Sequence, residues 1–191
     1  FLMKIIPIPH DLDLAVSTLP RSPGLHMSEI YNDLYQDLEP KRYQRGTAPD
    51  PLRLEAGMAL ESILEEGLKR RLAQRPGEFR TPEGIIFSPD LLISNDHLRV
   101  GEIKLTWMSS RDVSHEQANS FPPKFDKWFT QVKSYCHGLE TPWARLYAFF
   151  VNGDYKPPSP ELLAWDIEFS KRELGENMSA LLNHARHKRL L

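Results

Sequence analysis

Cysteine is nearly missing from this chain: Cys136 stands alone among 191 residues. No intrachain disulfide can form, and neither can a zinc or iron–sulfur site held by several cysteines. Such usage suits a reducing compartment, and a cytoplasmic location is the expectation. Long apolar runs are missing as well. No stretch approaches the about 20 apolar residues of a membrane-spanning helix. The first residues lack the apolar core and cleavage site of a secretory leader, and no membrane partner is expected; Met3 is a candidate native start. A surplus of positive charge is the third absence. With 24 Lys and Arg against 26 Asp and Glu, the formal net charge is −2 and the pI about 6.4, so bulk charge does not draw the chain to nucleic acid. Basic residues do gather at Lys41-Arg42 with Arg45, at Lys69-Arg70-Arg71 with Arg75, and from Arg186 to Arg189. A charge run usually marks no more than a solvated face.

What is present is the composition of an ordinary globule, 40% hydrophobic and 26% charged, long enough for one domain with a proper core. Neither repeats nor low-complexity tracts divide it. Pro7, Pro9, Pro20 and Pro23 make residues 1–25 an irregular lead-in, which leaves 26–191 as the single domain.

The informative stretch runs from Gly84 to Trp107. Apolar runs Ile85–Phe87 and Leu91–Ile93, the turn cluster Ser94-Asn95-Asp96 and the run Leu98–Leu105 predict strands around a tight turn. Three charges interrupt strands that otherwise read as buried: Asp90, Glu102 and Lys104. A lone buried charge is costly, so such groups pair with one another or hold a metal. Glu102 and Lys104 are two apart on one strand and share a face. With Asp90 on the neighbouring strand, two carboxylates and an ammonium converge. That set suits phosphodiester hydrolysis, with Mg²⁺ or Mn²⁺ on the carboxylate oxygens and the lysine orienting water or neutralising charge. A self-satisfied ion-pair cluster fits the same spacing.

Helices are expected around these strands. Ser28 is read as the cap of a helix from Glu29 to Leu38. Asp50 and Pro51 open a second, from Leu52 to Gln74, with Leu54, Met58, Leu64, Leu68 and Leu72 on one face. Glu61 and Glu65 fall within that apolar face. One of them, Glu61 first, is read as a third metal ligand delivered over the strands; the alternative is pairing with Lys69 or Arg53 at the helix rim. The third helix, Lys124–Gly138, buries Phe125, Trp128, Phe129, Val132, Cys136 and Leu139, with Gly138 as its stop. Gln131 and Tyr135 are i, i+4 neighbours on the flank of that face, with Lys124 nearby. Between strands and helix, the polar stretch Met108–Pro123 reads as a long loop that can pass over substrate. Trp107, at its start, either packs in the core or at a strand edge, or stacks on a base. Two strands follow, Ala144–Asn152 and Leu162–Phe169, then a closing helix Lys171–Leu191 whose basic end suits the helix dipole. The sum is an α/β protein with a small mixed sheet flanked by helices.

Pro89-Asp90, eleven residues, then Glu102-Ile103-Lys104 resembles the signature of the PD-(D/E)XK nuclease superfamily. Gly57-Met-Ala-Leu-Glu61 is similar to the Gly-x-x-x-Glu of lambda-type phage exonucleases, whose helical glutamate binds metal. Gln131-Val-Lys-Ser-Tyr135 resembles the Gln-x-x-x-Tyr of the RecB-like branch, as do Gly84 with Asp90 and the segment from His26 to Tyr43. The four motifs stand in the family's order, over roughly residues 26 to 190. The resemblance implies a restriction-endonuclease-like core and a Mg²⁺- or Mn²⁺-dependent DNA nuclease. Asp90, Glu102, Glu61 and the carbonyl of Ile103 would hold the metal, and Lys104 would orient the attacking water. Gln131 would hold water or the scissile phosphate, while Tyr135, Lys124 and Trp107 would contact DNA. Within the family it points to an exonuclease of phage or bacterial recombination and repair, with a homo-oligomer and a recombination or single-strand-binding partner as further expectations. A structure- or sequence-directed endonuclease would use the same residues, and a non-catalytic DNA-binding module is the rival of another class. Relatives with a four-cysteine cluster are set aside by the lone Cys136.

Overall fold

A computed structural model describes residues 21–44, 46, 51–69, 73–74, 76–94, 96–113, 121–151 and 160–191; the side chains of residues 51–53, 61, 64–65, 68–69 and 73–74 lie outside the description. The helices are α1 (Met27–Leu38), α2 (Pro51–Lys69), α3 (Lys124–Gly138) and α4 (Lys171–His187). The strands are β1 (Ala73–Gln74), β2 (Phe79–Arg80), β3 (Ile86–Phe87), β4 (Leu91–Ser94), β5 (Leu98–Thr106), β6 (Trp143–Phe150) and β7 (Glu161–Glu168). Five strands make one mixed sheet in the order β1-β4-β5-β6-β7, and β2 with β3 forms a separate antiparallel ribbon. Only β5 and β6 run parallel among these pairs. Parallel neighbours need a crossover connection, and α3 supplies it, which lays α3 against the strand that carries Glu102 and Lys104.

Strand alternation then divides the core. On the helix side, Val100 and Ala144 meet Met27, Ile30, Val132, Leu174 and Leu181 of α1, α3 and α4. Further along the same layer, Phe125 and Trp128 pack on Leu146, Phe150 and Leu163. The opposite face carries a smaller cluster of Leu91, Ile93, Ile103 and Tyr147. No helix among the described residues is long and apolar enough to cross a membrane.

Several elements differ from what their local sequence predicts. The first helix begins at Met27 with His26 as its N-cap and no capping side chain, so Ser28 lies inside it and accepts from Arg21 instead. The second helix does not reach Gln74. Ala73 and Gln74 are extended and pair with Ile93 and Leu92 of β4, because an available ladder outweighs helical periodicity. Its expected cap, Asp50, and Leu72 lie outside the described residues, and Leu54 of its apolar face is exposed. Arg75–Pro82 reads in sequence as a loop, but Phe79 within it stacks on Phe87 at 5.5 Å and β2 pairs with β3. The stretch after Trp107 contains a 3-10 turn, Ser110–Asp112, capped by Ser109, and Phe121 docks on Phe125 and Trp165. Residues 114–120 between them, including His115 and Glu116, lie outside the description, as do 152–159.

Gly138 does not end α3 by a left-handed turn. The C-cap is Leu139 and the positive φ falls on Glu140. What Gly138 provides is room, since a Cβ there would stand 2.5 Å from Cζ of Phe87. The closing helix stops at His187, and its basic end does more than meet the dipole: His184 bonds Asp33 at 2.8 Å and Lys188 bonds Asp37 at 2.7 Å, clipping α4 to α1.

Candidate active site

Pro89 and Asp90 stand where β4 begins. The register Leu91–Gly101 brings Asp90, one step earlier, alongside Glu102 on β5. Proline has no N–H to give the ladder, and the antiparallel pairing stops at Leu91. The next outward-pointing amide of β5 is met by a side chain: Ile103 N–H donates to Asp90 Oδ2 at 2.7 Å. N–H and C=O of one strand residue point to the same edge, so the Ile103 carbonyl faces the Asp90 side too.

Glu102 is 1% exposed. Its Oε1 receives the ammonium of Lys104 and, at 2.5 Å, the amide Nε2 of Gln131 from α3. Gln131 completes the triangle by accepting from Lys104 through Oε1 at 3.0 Å. One amide thus donates to the acid and accepts from the base. The Lys104 side chain retains 20% exposure, so the cluster opens to solvent on its side. Burial alone would lower the Lys104 pKa, but Glu102, then Asp90 and Tyr31, outweigh it and raise the ammonium above the ordinary lysine value. Lys104 is therefore charged across the physiological range.

Tyr135 lies one helical turn beyond Gln131 and takes its Nε2 hydrogen at 3.1 Å. At 4% exposure Tyr135 is buried, and its ring stacks on Phe87. Burial pushes its pKa well above the usual tyrosine value. Tyr31 of α1, which no local signal in the sequence marks, is buried in the same core cluster as Tyr135; burial, countered in part by Lys104, pushes its pKa to about 12. Lys127 is a second such residue. Its ammonium sits 4.3 Å from the Tyr43 ring and 6.0 Å from that of Tyr31, and burial followed by Lys104 lowers it to about 8. The only sequence hint for either was an aromatic or a cation on a helix face.

Lys124 and Trp107 lie at a cavity of about 360 Å³ between α2 and β5, which Lys104 also lines. Lys124 Nζ donates to Thr106 Oγ1 at 2.9 Å. Trp107 is 46% exposed, which excludes core packing for it. Gly57 and Met58 of α2 face this cavity, and Glu61 follows them by one turn. The side chains of Glu61 and Glu65 lie outside the described residues.

The site thus gathers Asp90, Glu102, Ile103, Lys104, Gln131 and Tyr135. Two carboxylates and a strand carbonyl make an all-oxygen donor set of the kind that hard divalent cations prefer. A carboxylate as buried as Glu102 requires positive charge beside it, and Lys104 supplies it here. Among the described residues a separate acidic group, Asp33, Asp37 and His184, comes close enough to hold a metal, but Lys188 already pairs with its acids.

No family model matches the chain, and no curated protein matches it by sequence. Solved structures do match by shape. A phage-related exonuclease from Haemophilus somnus 129PT superposes with a TM-score of 0.55 at 16% identity, covering 83% of this chain and 78% of that one. The alkaline exonuclease LHK-Exo of Laribacter hongkongensis gives 0.53 at 16% identity, covering 86% and 89%. In its complex with dAMP it gives 0.50 at 14% identity over the same shares. The fold is the one these exonucleases have. At such identities the likeness is one of architecture, a mixed sheet flanked by helices.

Proposed function

We propose that this protein is a metal-dependent DNA nuclease of the PD-(D/E)XK kind, acting as an exonuclease. The observation that carries the reading is the bonded cluster of Glu102, Lys104 and Gln131 beside Asp90, just before β4 begins and where β5 continues past their pairing. The fold shared with exonucleases supports the same reading, as does the binding of dAMP by one of them.

Asp90, Glu102 and the Ile103 carbonyl would hold Mg²⁺ or Mn²⁺, with Glu61 of α2 as a further acid. When bound, such an ion polarises the phosphoryl oxygen and makes its water more acidic. Lys104, kept as an ammonium, donates to the attacking water and offsets charge that builds on the phosphate. Gln131 fixes the distance between Lys104 and Glu102 from a buried position. Tyr135 accepts from Gln131 and thereby sets which way its amide points, and Tyr31 packs in the same buried cluster as Tyr135. Both tyrosines are positioning residues in this account, since neither is open to substrate.

Digestion of end-labelled linear duplex beside closed circular DNA, with Mg²⁺ or Mn²⁺, tests the reading. Loss of the linear form alone, absent with Lys104→Ala, is the expected result. Cutting of the circle would make the protein an endonuclease with the same site. Binding without cleavage of either form would make it a DNA-binding module.

A further inference from the structure

We infer that the outer edge of β7 docks an extended basic segment of a partner protein, added to the sheet as a further antiparallel strand. The inference goes beyond the nuclease reading and does not rest on it. In the sheet order β7 comes last, and among the described residues no strand pairs with its outer side. It runs for eight residues, Glu161–Glu168, where about 5–6 is ordinary. Its pairing with β6 is one to one throughout, with no bulge to twist the edge away. Just beyond the strand, Phe169 N–H donates to Pro142 O at 2.9 Å, which fixes the alternation. Odd-numbered residues bond β6, so Leu162, Ala164, Asp166 and Glu168 turn their N–H and C=O groups outward. No proline interrupts them.

The same residues set the chemistry of the strand that fits. All are exposed, on the sheet face away from α1, α3 and α4. Leu105, Phe149 and Leu162 stand in one cross-strand row, which ends at the edge with Leu162 42% exposed. Ala164 beside it leaves space for a larger apolar neighbour. Charge usually guards such an edge, but Asp166 is held by Arg145, which bonds both its oxygens at 2.5 and 2.7 Å. Glu168 pairs with no cation among the described residues. The edge is therefore apolar toward Leu162 and acidic at Glu168, and an antiparallel strand matches it with basic residues first and apolar ones later. Opposite charges across a strand pair attract and like charges repel. A second copy of β7 would line Asp166 and Glu168 of both chains along one seam, and nucleic acid would bring phosphates to the same acids. A basic strand gains where both of these lose. β6 lies between β7 and β5, so a strand added here leaves Glu102 and Lys104 uncovered.

The probe is a fluorescein-labelled peptide, Lys-Thr-Arg-Thr-Ile-Thr-Val, whose first residue would face Glu168 and whose last would face Leu162. Its binding to the full chain is followed by anisotropy. The expected result is saturable binding that is lost when the amides of its Arg and Ile are N-methylated, and kept when those of its Thr residues are. Only the first pair turns its N–H groups toward β7. Ala164→Pro removes an outward N–H that no bond to β6 needs, so it should melt like the wild-type protein and lose the peptide. If Ala164→Pro fails to fold, Glu168→Lys carries the test, with binding expected to weaken about tenfold as attraction turns to repulsion. Absence of binding to the wild-type protein, equal binding of both methylated peptides, or equal binding of a peptide with Glu in place of Lys and Arg would each overturn the proposal. So would a wild-type dimer that Ala164→Pro converts to monomer on a sizing column, since the edge would then belong to a second copy.

Discussion

Asp90 supplies a hydrogen bond beyond the last rung of the ladder: its Oδ2 accepts the Ile103 amide at 2.7 Å, where the β4–β5 pairing has ended. One carboxylate therefore has a structural duty and, in the proposed reaction, a catalytic one. Asn can accept the same amide and cannot supply the charge. Asp90→Asn should melt close to the wild-type protein and lose DNA cleavage by about 10²-fold or more. Asp90→Ala should also lose about 1–2 kcal/mol, or roughly 2–8 °C in Tm for a chain of this size. Thermal melts beside cleavage rates separate the two duties, and an Asn variant as unstable as Ala would contradict the assignment.

Gln131 holds Lys104 and Glu102 together, and Tyr135 orients Gln131. Gln131→Ala is expected to slow cleavage by about 10²-fold. Tyr135→Phe should lower kcat by about tenfold with KM little changed, because a buried hydroxyl acts on the amide and not on DNA. A change confined to KM would make Tyr135 a substrate contact.

Gly138, where α3 ends as expected, also forms a tight contact with Phe87 that the sequence does not show. Gly138→Ala forces a Cβ into the Phe87 ring and should destabilise the protein by about 1–3 kcal/mol. Phe87 also stacks on Tyr135, so cleavage should fall too. Adding Phe87→Leu should recover part of the stability. Double-mutant melts read this directly, and additive losses would contradict the contact.

The parts of the site legible in sequence were those whose residues are close along the chain. Glu102 and Lys104 share a face because strands alternate, and Gln131 and Tyr135 align because helices repeat every three to four residues. The pairing of Asp90 with β5 followed from a short turn between two apolar runs. Tyr31 was not legible, because it reaches Tyr135 from α1, and nothing local marks a tyrosine that will meet a site assembled from later elements. β1 was hidden for a similar reason: Ala73 and Gln74 continue a helical pattern until β4 offers them a ladder. At the C-terminus, Lys188 looked sufficient as a dipole partner and His184 carried no signal, and their acids on α1 lie about 150 positions away. Trp107 carried no periodic signal, since it follows the last residue of β5.

Alkaline pH should weaken the fold through Cys136. Burial raises its thiol from 9.0 to about 12, so the folded state favours the protonated form. Stability from this group is full below the free thiol's pKa near 9 and is lost as pH rises toward 12. Cys136→Ala should flatten that part of the stability profile. The native protein should also resist alkylation at pH 8 and react once unfolded, because the thiolate is the nucleophile. Rapid native alkylation would contradict the buried, protonated thiol.

The central claim concerns the cluster beside Asp90, and a single-turnover time course on one end-labelled DNA strand addresses it most directly. Wild-type, Glu102→Gln and Lys104→Met proteins are compared with Mg²⁺, with Mn²⁺ and with EDTA, each variant first shown to be folded by its melt. The account predicts cleavage by the wild-type protein only with a divalent ion, and losses of about 10²-fold or more in both variants. Cleavage that persists in both variants would place the chemistry elsewhere and contradict the account.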